Sequence, residues 1–448
     1  LWGAVFITLN EVVKSGIIRF MDITITKSTV SGSLSIPASK SQTIRALLVA
    51  SFGKEVSTIH NALDSDDTAS CIRVCEAFGA IISEVRGDTL IVTPAREFPP
   101  HISVDCGNSG TTLYLALTLA ATTSSVVTFD GDDQLRNRPV GELINSLRNL
   151  GATCHYLNKE GFAPFTIQGP IRGGKTSIAS PTSQYLSSLL LGTPLATGDS
   201  EINVTLLHEK PYVGLTLGWL DQQEIEYTSQ SDLSHFSIKG NQKYTSFETT
   251  ISGDYSSASF FFCAAAITGS SLTVEDVDKD DPQGDKAVLD VLQKMGCSVK
   301  WNSNKSVTIQ GPSTSLVGGT FDLNDIPDAL PVLAVTACFA EGTTILENIE
   351  HTRIKETDRI TVMRENLERL GAHIEEQEDA LIIHSHNTLR GGTVLGYGDH
   401  RIIMAMAVAG LQTDSDLTIE GVDAVDVTFP TFFSLLHSIC DTPQKELT

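Results

Sequence analysis

Six uninterrupted apolar runs organise the chain, each about 8 to 12 residues long and each opened by a short cluster of small polar residues. The openings lie at residues 39–45 (SKSQTIR), 108–112 (NSGTT), 182–184 (TSQ), 253–257 (GDYSS), 326–328 (IPD) and 398–401 (GDHR). A capping residue followed by an apolar run reads as the start of a buried helix. The runs are too short to cross a bilayer, which takes ~20 residues. With Ser41, Ser109, Ser183, Ser256, Pro327 and Asp399 as landmarks, successive starts are 68, 74, 73, 71 and 72 residues apart.

After each run comes a turn-rich stretch and then a strand pattern, as at 126–129, 202–204, 272–274, 344–346 and 417–419. A second, amphipathic helix pattern follows in most copies and often stops at a glycine (Gly79, Gly151, Gly296, Gly371). The period is longer than that of the usual solenoids and holds two helices and several strands, so it predicts six α/β units. A chain of 448 residues exceeds one ordinary core. Six units divide three and three, with a crossing near residues 251–253. The repeat begins at Met21 with alternation over 22–26. Residues 1–20 lack the basic start and cleavage site of a signal peptide and are expected to precede the true start or to form an appendage.

Composition narrows the function. Hydrophobic content of 41% with 19% charged residues is that of a globular protein. A net charge of −23 argues against a nucleic-acid surface, where massed Lys and Arg neutralise phosphates. It leaves room for small anions, because a local cluster makes one cleft positive within an acidic protein. The eight cysteines form no CxxC, and Cys263 and Cys338 fall inside apolar runs, so they read as reduced core thiols in a cytoplasmic protein. His384 and His386 have no partner spacing that supports zinc, and no metal or cofactor is expected.

The candidate chemistry sits at the helix starts. Lys40, Ser41 and Arg45 place cations and hydroxyls where unpaired N–H groups and the helix dipole already favour a phosphate; a solvated helix end is the plainer reading. Arg136 and Arg138 form a basic loop after a strand, or an exposed loop paired with Asp132 or Asp133. Lys355 and Arg359, four apart, and Glu356, three before Arg359, are expected to project together from a helix start. Asp328, after a proline and before an apolar run, is either a helix stabiliser or a general base with a raised pKa. His400 and Arg401 open the last run. If these starts converge on one cleft, their positive dipole ends converge with them.

The motifs SKSQTIRALL, DSDDT, GNSGTT, RNRP, TSQYLSSLL, KPYV, GDYSSASFF, QGD, IPDALP, KETDR, GDHR and TFPTFF span residues 22–436. Together they closely resemble the 5-enolpyruvylshikimate-3-phosphate synthase family. The resemblance implies an α/β fold (α+β in some schemes) of two similar domains, residues 39–252 and residues 21–38 with 253–448. Each holds three βαβαββ units, with the active site in the interdomain cleft. It implies enolpyruvyl transfer from phosphoenolpyruvate to the 5-hydroxyl of shikimate 3-phosphate by a cytoplasmic monomer. By matching motif, Lys40, Gly110 and Arg138 go to phosphoenolpyruvate, and Ser41, Arg45, Thr182, Ser183 and Gln184 to shikimate 3-phosphate. Asp328 takes the hydroxyl proton, Lys355 bridges the substrates, Glu356 serves the methylene carbon, and Arg359 and Arg401 clamp the carboxylate.

Four positions depart from the family's common pattern: Tyr114 in place of an arginine, Glu209 of a phosphate-binding serine, His351 of an asparagine at the substrate site, and Val427 of a lysine. They bear on phosphate affinity and inhibitor response. The rival within the fold is the sister transferase acting on UDP-N-acetylglucosamine, which carries a cysteine in the loop matching residues 130–139; none is present here. The rival outside enzymology is a non-catalytic phosphosugar-binding homologue, against which the intact Asp328, Lys355 and Glu356 speak.

Overall fold

A computed structural model describes residues 21–85, 88–384 and 388–445. The expected appendage at 1–20 and His386 lie outside the described residues.

All six apolar runs are helices: Lys40–Ser51, Gly110–Ala120, Ser183–Gly192, Tyr255–Ile267, Leu330–Cys338 and His400–Gly410. They form because, past their polar first turns, almost nothing along them prefers water, and they survive because other helices and sheets cover them. In Tyr255–Ile267 every residue but the last is buried. Where such helices meet, small residues set the distance. A Cβ on Gly192 would collide with Thr118, and beside it the Thr118 and Ser188 hydroxyls share a 2.7 Å hydrogen bond.

The repeat is equally plain in the sheets. In the second unit His101–Asp105 runs parallel to Val126–Asp130. That strand pairs antiparallel with Phe165–Gln168, which pairs antiparallel with Thr153–Tyr156. Four further four-stranded sheets share this pattern, and the sixth unit has three described strands. All five of the strand segments expected from the sequence are found, extended by one to five residues.

Two strands are exchanged along the chain. Glu248–Thr250 supplies the parallel edge for Ser57–His60, and Ser33–Ser35 supplies it for Ser271–Glu275. The passage between them is marked by an isolated bridge between Ala38 and Gly253. Buried apolar residues gather accordingly into one cluster from Ala38 to Ile251, and another from Ile23 to Ile36 and Tyr255 to Ile439. All eight cysteines are free thiols and seven are buried. Among the described residues no helix is long and apolar enough to cross a membrane.

Candidate active site

Five of the six core-helix starts line one cavity between the two apolar clusters, and only the Tyr255–Ile267 start stays out of it. Twelve of the fourteen expected site residues line it: Lys40, Ser41, Gly110, Arg138, Thr182, Ser183, Gln184, Asp328, Lys355, Glu356, Arg359 and Arg401. The other two lie behind its walls.

Arg45 is 1% exposed and its guanidinium is spent inside the protein. It donates to Thr216 Oγ1 at 2.9 Å and to the carbonyls of Ser41 and Tyr212 at 2.9 and 3.1 Å. Burial alone pushes its pKa down to about 10. His351 is buried and stacks on His208 with ring centroids 4.7 Å apart; neither of its ring nitrogens has a hydrogen-bond partner.

The wall from residues 38–251 is built of helix ends. Lys40 Nζ lies 3.1 Å from Asp67, and Gln184 donates to Thr111 Oγ1 at 3.2 Å. Gly110 opens its helix against Arg138, where a Cβ would run into the guanidinium. Arg138 reaches Asn108 at 2.9 Å and Glu356 across the cavity at 3.2 Å. Its neighbour Arg136 does what the plainer reading expects, but its main partner is Asp130 at 2.8 Å rather than Asp132 or Asp133.

The opposite wall is a lattice of ion pairs around Arg359. This guanidinium donates to Asp399 at 2.9 Å, to Asp328 at 2.8 Å and to Glu356 at 2.7 Å. The second oxygen of Asp328 lies 2.9 Å from Arg401 Nη2. Two expectations are corrected here. Lys355 and Glu356 do not share a helical face with Arg359, because the chain bends over residues 355–357 and the helix Arg359–Arg369 begins only at Arg359. Asp358 caps that helix by accepting from Thr361 N–H while Arg353 pairs with it at 2.8 Å, which fixes the start at the residue after Asp358.

The second correction concerns Asp328, whose carboxyl is held far below the usual range instead of being raised. Burial works to raise it, but Arg401, Arg359, Lys355 and Lys40 outweigh burial. Glu356 follows the same logic: Arg138 and Arg359 overcome its burial. Both carboxylates are therefore charged. Arg359 has each edge occupied by protein, whereas Arg401 keeps Nε and Nη1 buried without a protein partner. Of these two arginines, Arg401 is the one with donors to spare.

The chain matches the family described as EPSP synthase (3-phosphoshikimate 1-carboxyvinyltransferase) over residues 25–436. A 3-phosphoshikimate 1-carboxyvinyltransferase of Acetivibrio thermocellus is 46% identical over 418 residues, covering 93% of this chain and 97% of that one. That of Ruminiclostridium cellulolyticum is 44% identical, covering 93% and 98%. This chain belongs to the EPSP synthase family. Its fold is also that of the EPSP synthase from Acinetobacter baumannii, with a TM-score of 0.79 at 23% identity over 96% of this chain and 100% of that one. The enolpyruvyl transferase NikO from Streptomyces tendae shares it, with a TM-score of 0.77 at 17% identity over 94% and 98%.

Against the family's pattern, the four departures fall in different places. Tyr114 lines the cavity, donates to the Pro139 carbonyl at 3.0 Å and packs edge-on against Tyr185. Glu209 lines it too, His351 lies behind it, and Val427 is at the end of the short turn Asp423–Val427, outside it. Asp67, Tyr212 and Asp285 are not among the residues expected at the site, although DSDDT, KPYV and QGD carry the signal. Tyr212 lines the cavity and donates to Asp285 at 2.5 Å across the two clusters. Burial and nearby Asp328 push the Asp285 carboxyl up to about 7.

Proposed function

We propose that this chain transfers the enolpyruvyl group of phosphoenolpyruvate to the 5-hydroxyl of shikimate 3-phosphate, releasing phosphate. Membership of the EPSP synthase family supports the reaction, and one observation carries the mechanism: two charged carboxylates, Asp328 and Glu356, share the single guanidinium of Arg359 in one cavity. Addition across an enol ether needs a proton removed from an alcohol and a proton delivered to a methylene carbon. Two carboxyl groups on one scaffold serve both ends of that exchange.

In this reading Asp328 takes the hydroxyl proton as the oxygen attacks the enol carbon, and Glu356, having first gained a proton, delivers it to the methylene. Elimination of phosphate reverses the second transfer. Lys355 bridges the substrates, and Lys40 and Arg138 hold phosphoenolpyruvate beside the close backbone at Gly110. The spare donors of Arg401 take the carboxylate, while Arg359 sets the geometry of the two carboxyl groups. Thr182, Ser183 and Gln184 hold shikimate 3-phosphate with Ser41; Arg45 shapes that wall from behind. Fixed cations around a tetrahedral intermediate supply the electrostatic part of catalysis.

We further propose that residues 39–252 and residues 21–38 with 253–448 are two domains that close on the substrates. The two separate apolar clusters support this division. Both walls come from one chain, which supports a monomeric enzyme, and the free thiols fit the cytoplasm. Phosphate release from a mixture of purified protein, shikimate 3-phosphate and phosphoenolpyruvate tests the assignment; no release with either substrate in excess would overturn it.

A further inference from the structure

Glu209 is out of keeping with its surroundings. Its carboxylate lies in the part of the cavity best equipped to hold a phosphate, the start of the helix Ser183–Gly192. There one oxygen accepts from the Ser183 N–H at 3.0 Å, the Ser183 hydroxyl at 2.7 Å and the Thr182 hydroxyl at 3.3 Å. The other oxygen is ion-paired with Lys355. A backbone N–H at a helix start, two hydroxyls and an ammonium are the donor set that phosphate oxygens take. Here a side chain of the protein takes it.

The backbone under Glu209 is also unusual. Its φ of 57° and ψ of 43° are left-handed, a conformation disfavoured for a side chain of this kind. It immediately precedes the helix Lys210–Gln222, yet its side chain caps no N–H of that helix. It turns instead to cap a helix one βα step earlier. The residue is 2% exposed, so this is a fully desolvated carboxylate whose charge is matched by Lys355 and not by water.

We propose that Glu209 is a tethered anion that occupies the phosphate subsite of the alcohol substrate and sets how tightly a phosphorylated alcohol binds. The inference rests on the transferase reading, in which that alcohol carries a phosphate. A carboxylate and a phosphate dianion cannot share Ser183 and Lys355, because like charges in contact within a buried site repel strongly. Substrate therefore binds only the fraction of molecules in which Glu209 has swung out, and its apparent affinity falls by that fraction. Glu209 is in this sense a specificity-determining residue: it discounts any ligand whose affinity depends on a phosphate at this point, and leaves one without it nearly untouched.

Calorimetric titration of the full chain, of Glu209→Gln and of Glu209→Ser decides it, with shikimate 3-phosphate, shikimate and inorganic phosphate as three separate ligands. Both variants should bind shikimate 3-phosphate and inorganic phosphate roughly tenfold or more tightly than the unaltered chain, as expected for releasing a minor open state. Shikimate should be unchanged. If either folded variant binds the two phosphate ligands equally or more weakly, Glu209 is a permanent brace for Lys355 and the proposal is wrong. Turnover with phosphoenolpyruvate is followed separately. Absence of turnover in the unaltered chain overturns the transferase reading, while the inorganic phosphate comparison still decides the role of Glu209.

Discussion

The two walls of the cavity use charge in opposite ways. The wall from residues 38–251 offers helix ends, hydroxyls and amides: Ser41, Thr111, Thr182, Ser183 and Gln184 beside Lys40 and Arg138. The wall from the other cluster holds its charges already cancelled, with Asp328, Glu356 and Asp399 all on Arg359 and Asp328 also on Arg401. Neutral donors cost little to keep at a helix start, and at Thr182 and Ser183 they hold the Glu209 carboxylate. Buried carboxylates do not wait unpaired, because the uncompensated charge of a broken pair costs ~3–5 kcal/mol. In the proposed mechanism the first wall serves recognition and the second proton exchange. Asp328 and Glu356 would then begin as ion pairs whose basicity a substrate must restore by drawing the arginines to itself.

Breaking the second wall should have the largest effect. Glu356→Gln keeps the shape and one acceptor for Arg359 or Arg138 but cannot deliver a proton. Turnover should fall by roughly 10²-fold or more while both substrates still bind. Asp328→Asn should lose turnover on the same scale and also weaken phosphoenolpyruvate binding, since Arg401 loses its carboxylate partner and its orientation. Steady-state rates with calorimetry on both variants separate these outcomes. A Glu356→Gln enzyme with near-normal rate would place the proton donor elsewhere, with Lys355 the first candidate.

A substitution in the first wall sharpens the contrast from the recognition side. At Gly110 an added methyl meets the Arg138 guanidinium, which has to move. Gly110→Ala should therefore raise the KM for phosphoenolpyruvate by about tenfold, the cost of a misplaced charge-assisted contact of ~1.4 kcal/mol. The KM for shikimate 3-phosphate should hardly change, because Ser183 and Gln184 stand on a different helix. Equal effects on both substrates would mean that Arg138 serves the two together.

How much of this was legible in the sequence follows from the same contrast. The core helices were, because a run such as Tyr255–Ile267 has no polar face to mislead the reader, and the repeat spacing locates all six. The recognition wall was legible too, since capping chemistry is local and Thr182, Ser183 and Gly110 sit where the pattern puts them. The ion-pair wall was less so. Spacing put Lys355 and Arg359 on one helical face, but contacts of Asp358 and Arg353 start the helix at Arg359 and leave Lys355 outside it. Arg45, which the resemblance assigns to shikimate 3-phosphate, is held by Thr216 and Tyr212, contacts that lie far along the chain. The low pKa of Asp328 depends on cations from three other helix starts and a loop, which no local window contains.

A last effect lies behind the second wall, at His351, and it bears on stability rather than on activity. Burial pushes this imidazole down to about 4, with Lys355 and His208 adding to the effect and Glu209 opposing it. An unfolded histidine titrates near 6.5. Between those two values the unfolded chain binds a proton that the folded one refuses, so stability falls as pH drops from about 6.5 to about 4 and is fully present above that window. His400, pushed down to about 3 by burial, acts with the same sign. Asp285, raised to about 7, acts with the opposite one and gains stability as pH falls. The difference between two proteins cancels both. His351→Asn should therefore lose on the order of 2–3 kcal/mol less stability than the unaltered chain between about pH 7 and pH 4.5. At about pH 7.5 it should be the slightly less stable of the two, having lost the stacking on His208. Urea unfolding at a series of pH values measures both. Parallel pH profiles for the two proteins would mean that His351 takes up its proton in the folded chain, and that the second wall accommodates another cation behind Lys355.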